Sequence, residues 1–229
     1  MRKDMKAFGC AILVGGAAVF AARAERVALF NGTDLAGWTA VADHDVTGGY
    51  SATEPTWFVK DGTILTTGTP FGYLRTKRGD FGDFRLHVEY RWWRETARPN
   101  SGVFVRLSDA RGTFIPTCLE NQLCRGAMGD VLGLAGFRFA GFEPMSPFDP
   151  AQPLSGITRA PRKGADVERP FGEWNVLEVE MKGDTLVNRV NGIELNRLRG
   201  VSVARGAIAL QSEGGAIQFR NIWIEEATR

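Results

Sequence analysis

The sequence predicts an all-β protein, with two antiparallel sheets packed as a sandwich of jelly-roll type. Roughly a dozen short runs place an apolar residue at every second position, the period of a half-buried strand. Gly, Asn and Asp turn signals separate these runs, and no helical periodicity develops beyond the first two dozen residues. The clearest stretch lies between Asp83 and Leu107. Phe84, Leu86, Val88, Tyr90 and Trp92 alternate there with Arg85, His87, Glu89 and Arg91. A polar break, RETARPNSG, carries Pro99, Asn100 and Gly102. Val103, Val105 and Leu107 then alternate with Phe104 and Arg106. The expectation is an antiparallel pair joined by a turn, one face in the core and the other open to function.

Taken in order, the chain starts with a basic MRKDMK, an apolar AFGCAILVGGAAVFA and an Ala-Arg-Ala site at 22–24. That layout reads as a secretory signal peptide over 1–24, leaving 25–229 as one domain that is periplasmic or secreted. The apolar run is shorter than the ~20 residues a spanning helix needs, so no membrane insertion is expected of the mature form. Residues 1–24 hold four basic side chains and one acidic one. Without them the formal charge falls from +2 to −1, which leaves no argument for nucleic acid.

Runs at 27–31 and 37–41 flank Gly32-Thr33-Asp34, and runs at 57–60 and 63–66 flank Asp61-Gly62, a type I′ hairpin signal. A short run at 73–76 precedes the central stretch, and 117–124 alternates again. From 126 to 172 the pattern dissolves into glycines and prolines, a long irregular segment of the kind that is either functional or mobile. Runs resume at 174–181, turn at Lys182-Gly183-Asp184, and continue to 190. Asn191-Gly192 leads into 193–198, and Gly214-Gly215 separates 207–213 from 217–225. Two cysteines follow the signal segment, Cys118 and Cys124. In a strand their α-carbons would lie roughly 20 Å apart, beyond disulfide reach, so free thiols are expected.

Chemistry should sit where alternation sends polar residues away from the core. With Val103, Val105 and Leu107 inward, Arg106 points out. Leu119 and Leu123 send Glu120 and Gln122 out, and Ile208 and Leu210 send Gln211 and Glu213 out. If these strands share a sheet, two carboxyls, two amides and a guanidinium gather, a set suited to sugar hydroxyls and acid/base work. An ordinary solvated sheet face is the alternative. Trp93 breaks parity beside Trp92, as a stacking platform or a strand-end plug. His44 between two aspartates is a weak cation candidate, and His87 reads as a surface histidine. No HExxH, CxxC, P-loop, dinucleotide or GxSxG motif is present.

The segments LFNGTDLAGW (29–38), WFVKDGTI (57–64), DFRLHVEYRW (83–92), NSGVFVR (100–106), LENQL (119–123), EWNVLEVEMKGDTLVNRVNG (173–192) and ALQSEGGAIQFRNIWI (209–224) occur in this order. Together they resemble the 3-keto-disaccharide hydrolase domain family. The resemblance implies a concanavalin-like sandwich, export, and cleavage of glycosides oxidised to a ketone at C3. It implies Glu120, Glu213 and Arg106 as catalytic residues. Asn100, Gln122 and Gln211 would bind substrate, with Arg220 of FRNI as an addition; Trp93 joins them as a substrate-stacking candidate on its strand parity alone. Many relatives carry a histidine where this chain has Glu213. A C3 ketone acidifies the C2 proton, so a carboxylate can remove it, the enolate can expel the C1 substituent, and water can add. Arg106 would steady the enolate, or a divalent cation would take its place; no other cofactor is implied. The alternative function is a non-catalytic carbohydrate-binding module.

Overall fold

The computed structural model describes residues 25–43, 56–97, 99–109, 115–152 and 154–226. The signal-like segment and His44 lie outside them. Fifteen strands and no helix make up the described chain. Eight strands form a back sheet: β1 (Arg26–Ala28), β3 (Trp57–Lys60), β4 (Thr63–Thr66), β6 (Phe84–Arg94), β11 (Asn175–Lys182), β12 (Thr185–Val190), β13 (Ile193–Leu198) and β15 (Ala216–Glu226). Their order is β13-β12-β11-β6-β15-β4-β3, with β1 also paired to β15. Seven form a front sheet: β2 (Trp38–Asp43), β5 (Phe71–Thr76), β7 (Gly102–Asp109), β8 (Thr117–Gln122), β9 (Val131–Leu134), β10 (Thr158–Ala160) and β14 (Ala207–Ser212). Their order is β10-β9-β8-β7-β14-β5-β2, and every pairing in both sheets is antiparallel.

The two halves of the central stretch are both strands, but they are not partners. β6 pairs with β11 and β15 in the back sheet, and β7 with β8 and β14 in the front sheet. Alternation reports which face of a strand is apolar. Two strands on opposite sheets of a sandwich share a core as readily as two neighbours do. The polar break between them is a crossing from one sheet to the other. The 126–172 segment also holds two strands that its composition hid, β9 and β10, which extend the front sheet beyond β8.

The hairpin signals were legible. Asp61 and Gly62 have φ of 49° and 71°, and Asn191 and Gly192 have 50° and 82°. Two consecutive left-handed residues of this kind make the tight turn whose twist matches a strand pair. Leu86, Val88, Tyr90, Val103, Val105, Leu119, Leu210 and Phe219 meet in the inter-sheet core. Burying each such side chain contributes about 1.5–3 kcal/mol. The outer face of the front sheet is apolar as well. Tyr73, Phe104, Cys118, Leu134 and Ala209 form a second buried cluster there. The outer face of the back sheet is polar, and Arg26–Glu225 and Arg220–Glu89 ion pairs run along it. Cys118 and Cys124 are both free thiols.

Candidate active site

Three sheet-to-sheet crossings lie side by side at one end of the sandwich. They link β4 to β5, β6 to β7, and β14 to β15. Backbone hydrogen bonds tie them together: Gly214 N–H donates to the Gly68 carbonyl (2.7 Å) and Gly215 N–H to the Asn100 carbonyl (2.9 Å). The Ser101 hydroxyl donates to the Gln211 carbonyl at 2.7 Å. Glu213 stands on the third crossing and Asn100 on the second. The Asn100 amide donates to Glu213 Oε2 across them at 2.8 Å.

The front sheet supplies the rest. Gln211 pairs with Tyr73, Leu210 with Val103, and Gly102 with Gln122, so Tyr73, Gln211, Gly102 and Gln122 occupy one row across four strands. Glu120 sits one row down, opposite Phe104. Its carboxyl leans over Gly102, where a side chain would collide with it. Glu120 is 2% exposed and Gln211 is fully buried. Glu120 Oε1 and Asn100 Oδ1 are buried without a hydrogen-bond partner, and neither amide atom of Gln211 makes a well-formed bond. Buried polar atoms are almost always satisfied, so four open ones around a single glycine mark a place built to receive hydrogen bonds from something else.

The two carboxyls differ in state. Burial, reinforced by the charge of nearby Glu213, holds Glu120 well above the usual carboxyl range and favours its neutral form. Burial pushes Glu213 up to about 7, although the adjoining Gln211 amide favours its ionised form. Cys124, half-buried two residues past Gln122, is raised chiefly by burial and then by Glu213. The site thus holds one carboxyl whose neutral form burial favours and a second poised to gain or lose a proton near neutral pH.

Of the residues expected from sequence, Glu120, Gln211, Glu213 and Asn100 come together. Gln122 sits at the edge, with Oε1 accepting the Leu123 and Cys124 N–H groups (3.1 Å each), so its carbonyl is committed to the turn. Three do not join them. Arg106 does not point outward, because it has a left-handed φ of 51° at an irregularity in the β7–β8 ladder that reverses the alternation. Leu107, not Arg106, therefore shares the outer cluster with Phe104. Arg106 is 1% exposed and donates to the carbonyls of Val203 (2.9 Å) and Gly183 (2.7 Å). Arg220 belongs to the back sheet, bonded to Glu89 (2.6 Å) and stacked over Trp174 (3.9 Å). Trp93 is at the end of β6 in the back sheet, its indole N–H donates to the Thr66 carbonyl (3.2 Å), and Arg94 lies over its ring.

His87 lies on the back sheet, stacked on Trp223 at 4.7 Å between centroids, and is no candidate base for this site. Asp130 is held by Arg159 (2.7 Å) and the Arg162 N–H (2.8 Å). Among the described residues no three His, Cys, Asp or Glu side chains gather to hold a metal ion. A recess of about 590 Å³ among Arg85, Glu178, Arg189 and Glu225 also lies on the back sheet, where Arg85 is already paired with Glu178 and Glu225. Sequence reasoning missed Tyr73 and Phe104, the apolar floor of the site, and it read Gly102 as a turn residue only. The NSG tripeptide beside an alternating strand was the available signal.

Residues 25–225 match the 3-keto-alpha-glucoside-1,2-lyase-like domain. No curated protein matches the chain. Among solved structures, a protein assigned as a glycosyl hydrolase from Parabacteroides distasonis is similar with a TM-score of 0.60 at 19% identity, covering 89% of this chain and 94% of that one. The carbohydrate-binding module CBM66 from Bacillus subtilis gives 0.56 at 11% identity, covering 83% and 96%. A Bacillus licheniformis beta-glucanase gives 0.53 at 12% identity, covering 91% and 100%. At these identities the likeness is one of fold.

Proposed function

We propose, from the premise that this chain belongs to the 3-keto-alpha-glucoside-1,2-lyase-like domain family, that it is an exported enzyme cleaving glycosides already oxidised to a ketone at C3. The observation that carries this reading is two carboxyls in one recess, Glu213 bonded to Asn100 and Glu120 buried over Gly102 with its Oε1 unpartnered. Burial raises both, Glu213 to about 7, and elimination next to a ketone needs one carboxyl as base and another as acid.

Glu213 takes the C2 proton, with its carboxylate oriented by the Asn100 amide. The C–H electron pair passes into the enolate, whose charge develops on the C3 oxygen. In its neutral form Glu120 is an O–H donor, and the Gln211 NH₂, which faces Glu213, is a second donor. Aimed at that oxygen in a water-poor recess, they stabilise the enolate as an oxyanion hole does. Arg106 has no part in this, since its guanidinium is spent on Val203 and Gly183. The enolate then reforms the ketone as a C1–C2 double bond forms and the C1–O bond breaks. The departing oxygen takes the proton that Glu213 carries. Addition of water across the new double bond, with OH to C1 and H to C2, completes a net hydrolysis. Apolar Tyr73 and Phe104 beneath the recess keep its dielectric low.

The test is an assay of the purified mature protein on 3-keto-glucosides and on the parent glucosides, with and without chelator. The reading expects turnover of the keto substrates alone. Sugar binding without turnover of either would assign the site to a carbohydrate-binding module instead.

A further inference from the structure

Consecutive tryptophans interrupt the alternation of β6, and the pairing with β15 shows how. Ile217 faces Trp92 and Ala216 faces Arg94, so Trp93 is an extra residue, a β-bulge at the end of the strand. The bulge separates the two indoles. Trp92 belongs to the inter-sheet core, and its N–H donates to Glu168 Oε1 (2.7 Å) on the connection between β10 and β11. Trp93 is half-buried, and its N–H donates to the Thr66 carbonyl at the end of β4 (3.2 Å).

Both lead to the crossing that carries Glu213. The Thr66 hydroxyl accepts the Gly68 N–H (3.0 Å) and donates to Ser212 Oγ (3.1 Å), while the Gly68 carbonyl accepts Gly214 N–H (2.7 Å). Gly215, one residue on, has no room for a side chain. A β-carbon there would collide with Trp92 Cζ3 and fall 2.6 Å from the Asn100 carbonyl oxygen. Its φ is not left-handed, so space and not conformation calls for glycine. The indole edge and the Asn100 backbone therefore close on Gly215 together. Gly215 N–H donates to the Asn100 carbonyl (2.9 Å), and the Asn100 amide holds Glu213 (2.8 Å).

A buried indole N–H needs an acceptor. Without the Glu168 oxygen the Trp92 ring would strand its donor or turn, and turning would carry Cζ3 away from Gly215. We infer that Trp92, held by Glu168, and Trp93 are positioning residues that keep the Glu213 carboxyl in line with the Asn100 amide. This rests on the reading of Glu213 as the base. Neither indole touches substrate in it, and nor does the Glu168 carboxyl, which lies behind the ring.

Amide hydrogen exchange of the mature protein reads the crossing without substrate. Trp92→Phe and Glu168→Ala should speed exchange of the Gly215 N–H about tenfold or more, and Trp93→Phe that of Gly214, with the β8–β9 ladder unchanged. On a 3-keto-glucoside the same variants should lower kcat about tenfold and leave KM within about twofold, the split that a displaced base produces and a lost substrate contact does not. Glu168→Gln, whose carbonyl still accepts the indole N–H, should restore most of both. Should Trp92→Phe fail to fold, Glu168→Ala carries the same test from a loop. Unchanged exchange at both glycines overturns the inference, as does faster exchange with a wild-type kcat, or a rise in KM as large as the fall in kcat. Faster exchange in variants of a protein that turns over no 3-keto-glucoside would uphold the brace and discard the lyase reading.

Discussion

The Glu120 carboxyl lies over Gly102: a β-carbon built on Gly102 would fall 2.9 Å from Glu120 Cγ and 3.0 Å from its carboxyl carbon. The two residues are on neighbouring strands, and the absence of a side chain on one is what gives the other room. Gly102→Ala should therefore displace the acid while leaving the ladder hydrogen bonds intact. The expected outcome is a fall in kcat of about tenfold or more, read against a circular dichroism spectrum that does not change.

The pH profile should report Glu213. As the base it must be ionised, so kcat/KM should rise with pH and level off above about 7. Glu120 must stay protonated, so activity should fall again at higher pH, because burial holds that carboxyl well above the usual range. Glu213→Gln should abolish the rising limb. A wild-type profile already flat below pH 6 would point to an ordinary carboxylate and a different base.

Stability should carry the same signature with the opposite sign. A carboxyl whose folded pKa exceeds its unfolded value binds more protons when folded, so the stability it lends is present at low pH and lost as pH rises towards the folded pKa. For Glu213 the window runs from the ordinary carboxyl value of 4.5 to about 7 and is worth roughly 3 kcal/mol. Glu120 extends the loss to higher pH. Thermal melts across that range should show Tm falling with pH in the wild type and much less in Glu120→Gln and Glu213→Gln. Both variants should be the more stable proteins at pH 8.

Much of this site was legible because the strands that build it are regular. Leu119, Leu123, Ile208 and Leu210 point inward as alternation requires, and that alone sends Glu120 and Gln211 to the other face. What was not legible depends on events without a residue signature. Arg106 adopts a left-handed φ though it is not glycine, and that single irregularity turns its guanidinium from the outer face to the carbonyls of Gly183 and Val203. Arg220 follows Gln211 and Glu213 closely in sequence, but a sheet crossing separates them. Trp92 and Glu168 meet across 76 residues through a loop whose composition gave no period. Strand partners, too, are set by the sandwich as a whole: β6 and β7 look like a hairpin and are not one.

Arg106 makes a stability prediction rather than a catalytic one. Arg106→Met removes a buried cation and leaves the Gly183 and Val203 carbonyls without their donor. The expected cost is about 2–4 kcal/mol, visible as a lower midpoint in denaturant. Turnover measured well below the new Tm should remain within about threefold of wild type. A large loss of kcat with unchanged stability would return Arg106 to the active site.

The central claim is that Glu213 removes the C2 proton while Glu120 stabilises the enolate. The most direct measurement compares turnover of a 3-keto-glucoside carrying hydrogen or deuterium at C2 by the wild type, Glu213→Gln and Glu120→Gln. The account predicts a primary isotope effect in the wild type. It predicts a drop in kcat of about 10²–10⁴ in Glu213→Gln, and a smaller one, roughly 10–10², in Glu120→Gln, whose amide still donates a hydrogen bond. Wild-type turnover with no isotope effect, together with near-normal rates in both glutamine variants, would contradict it.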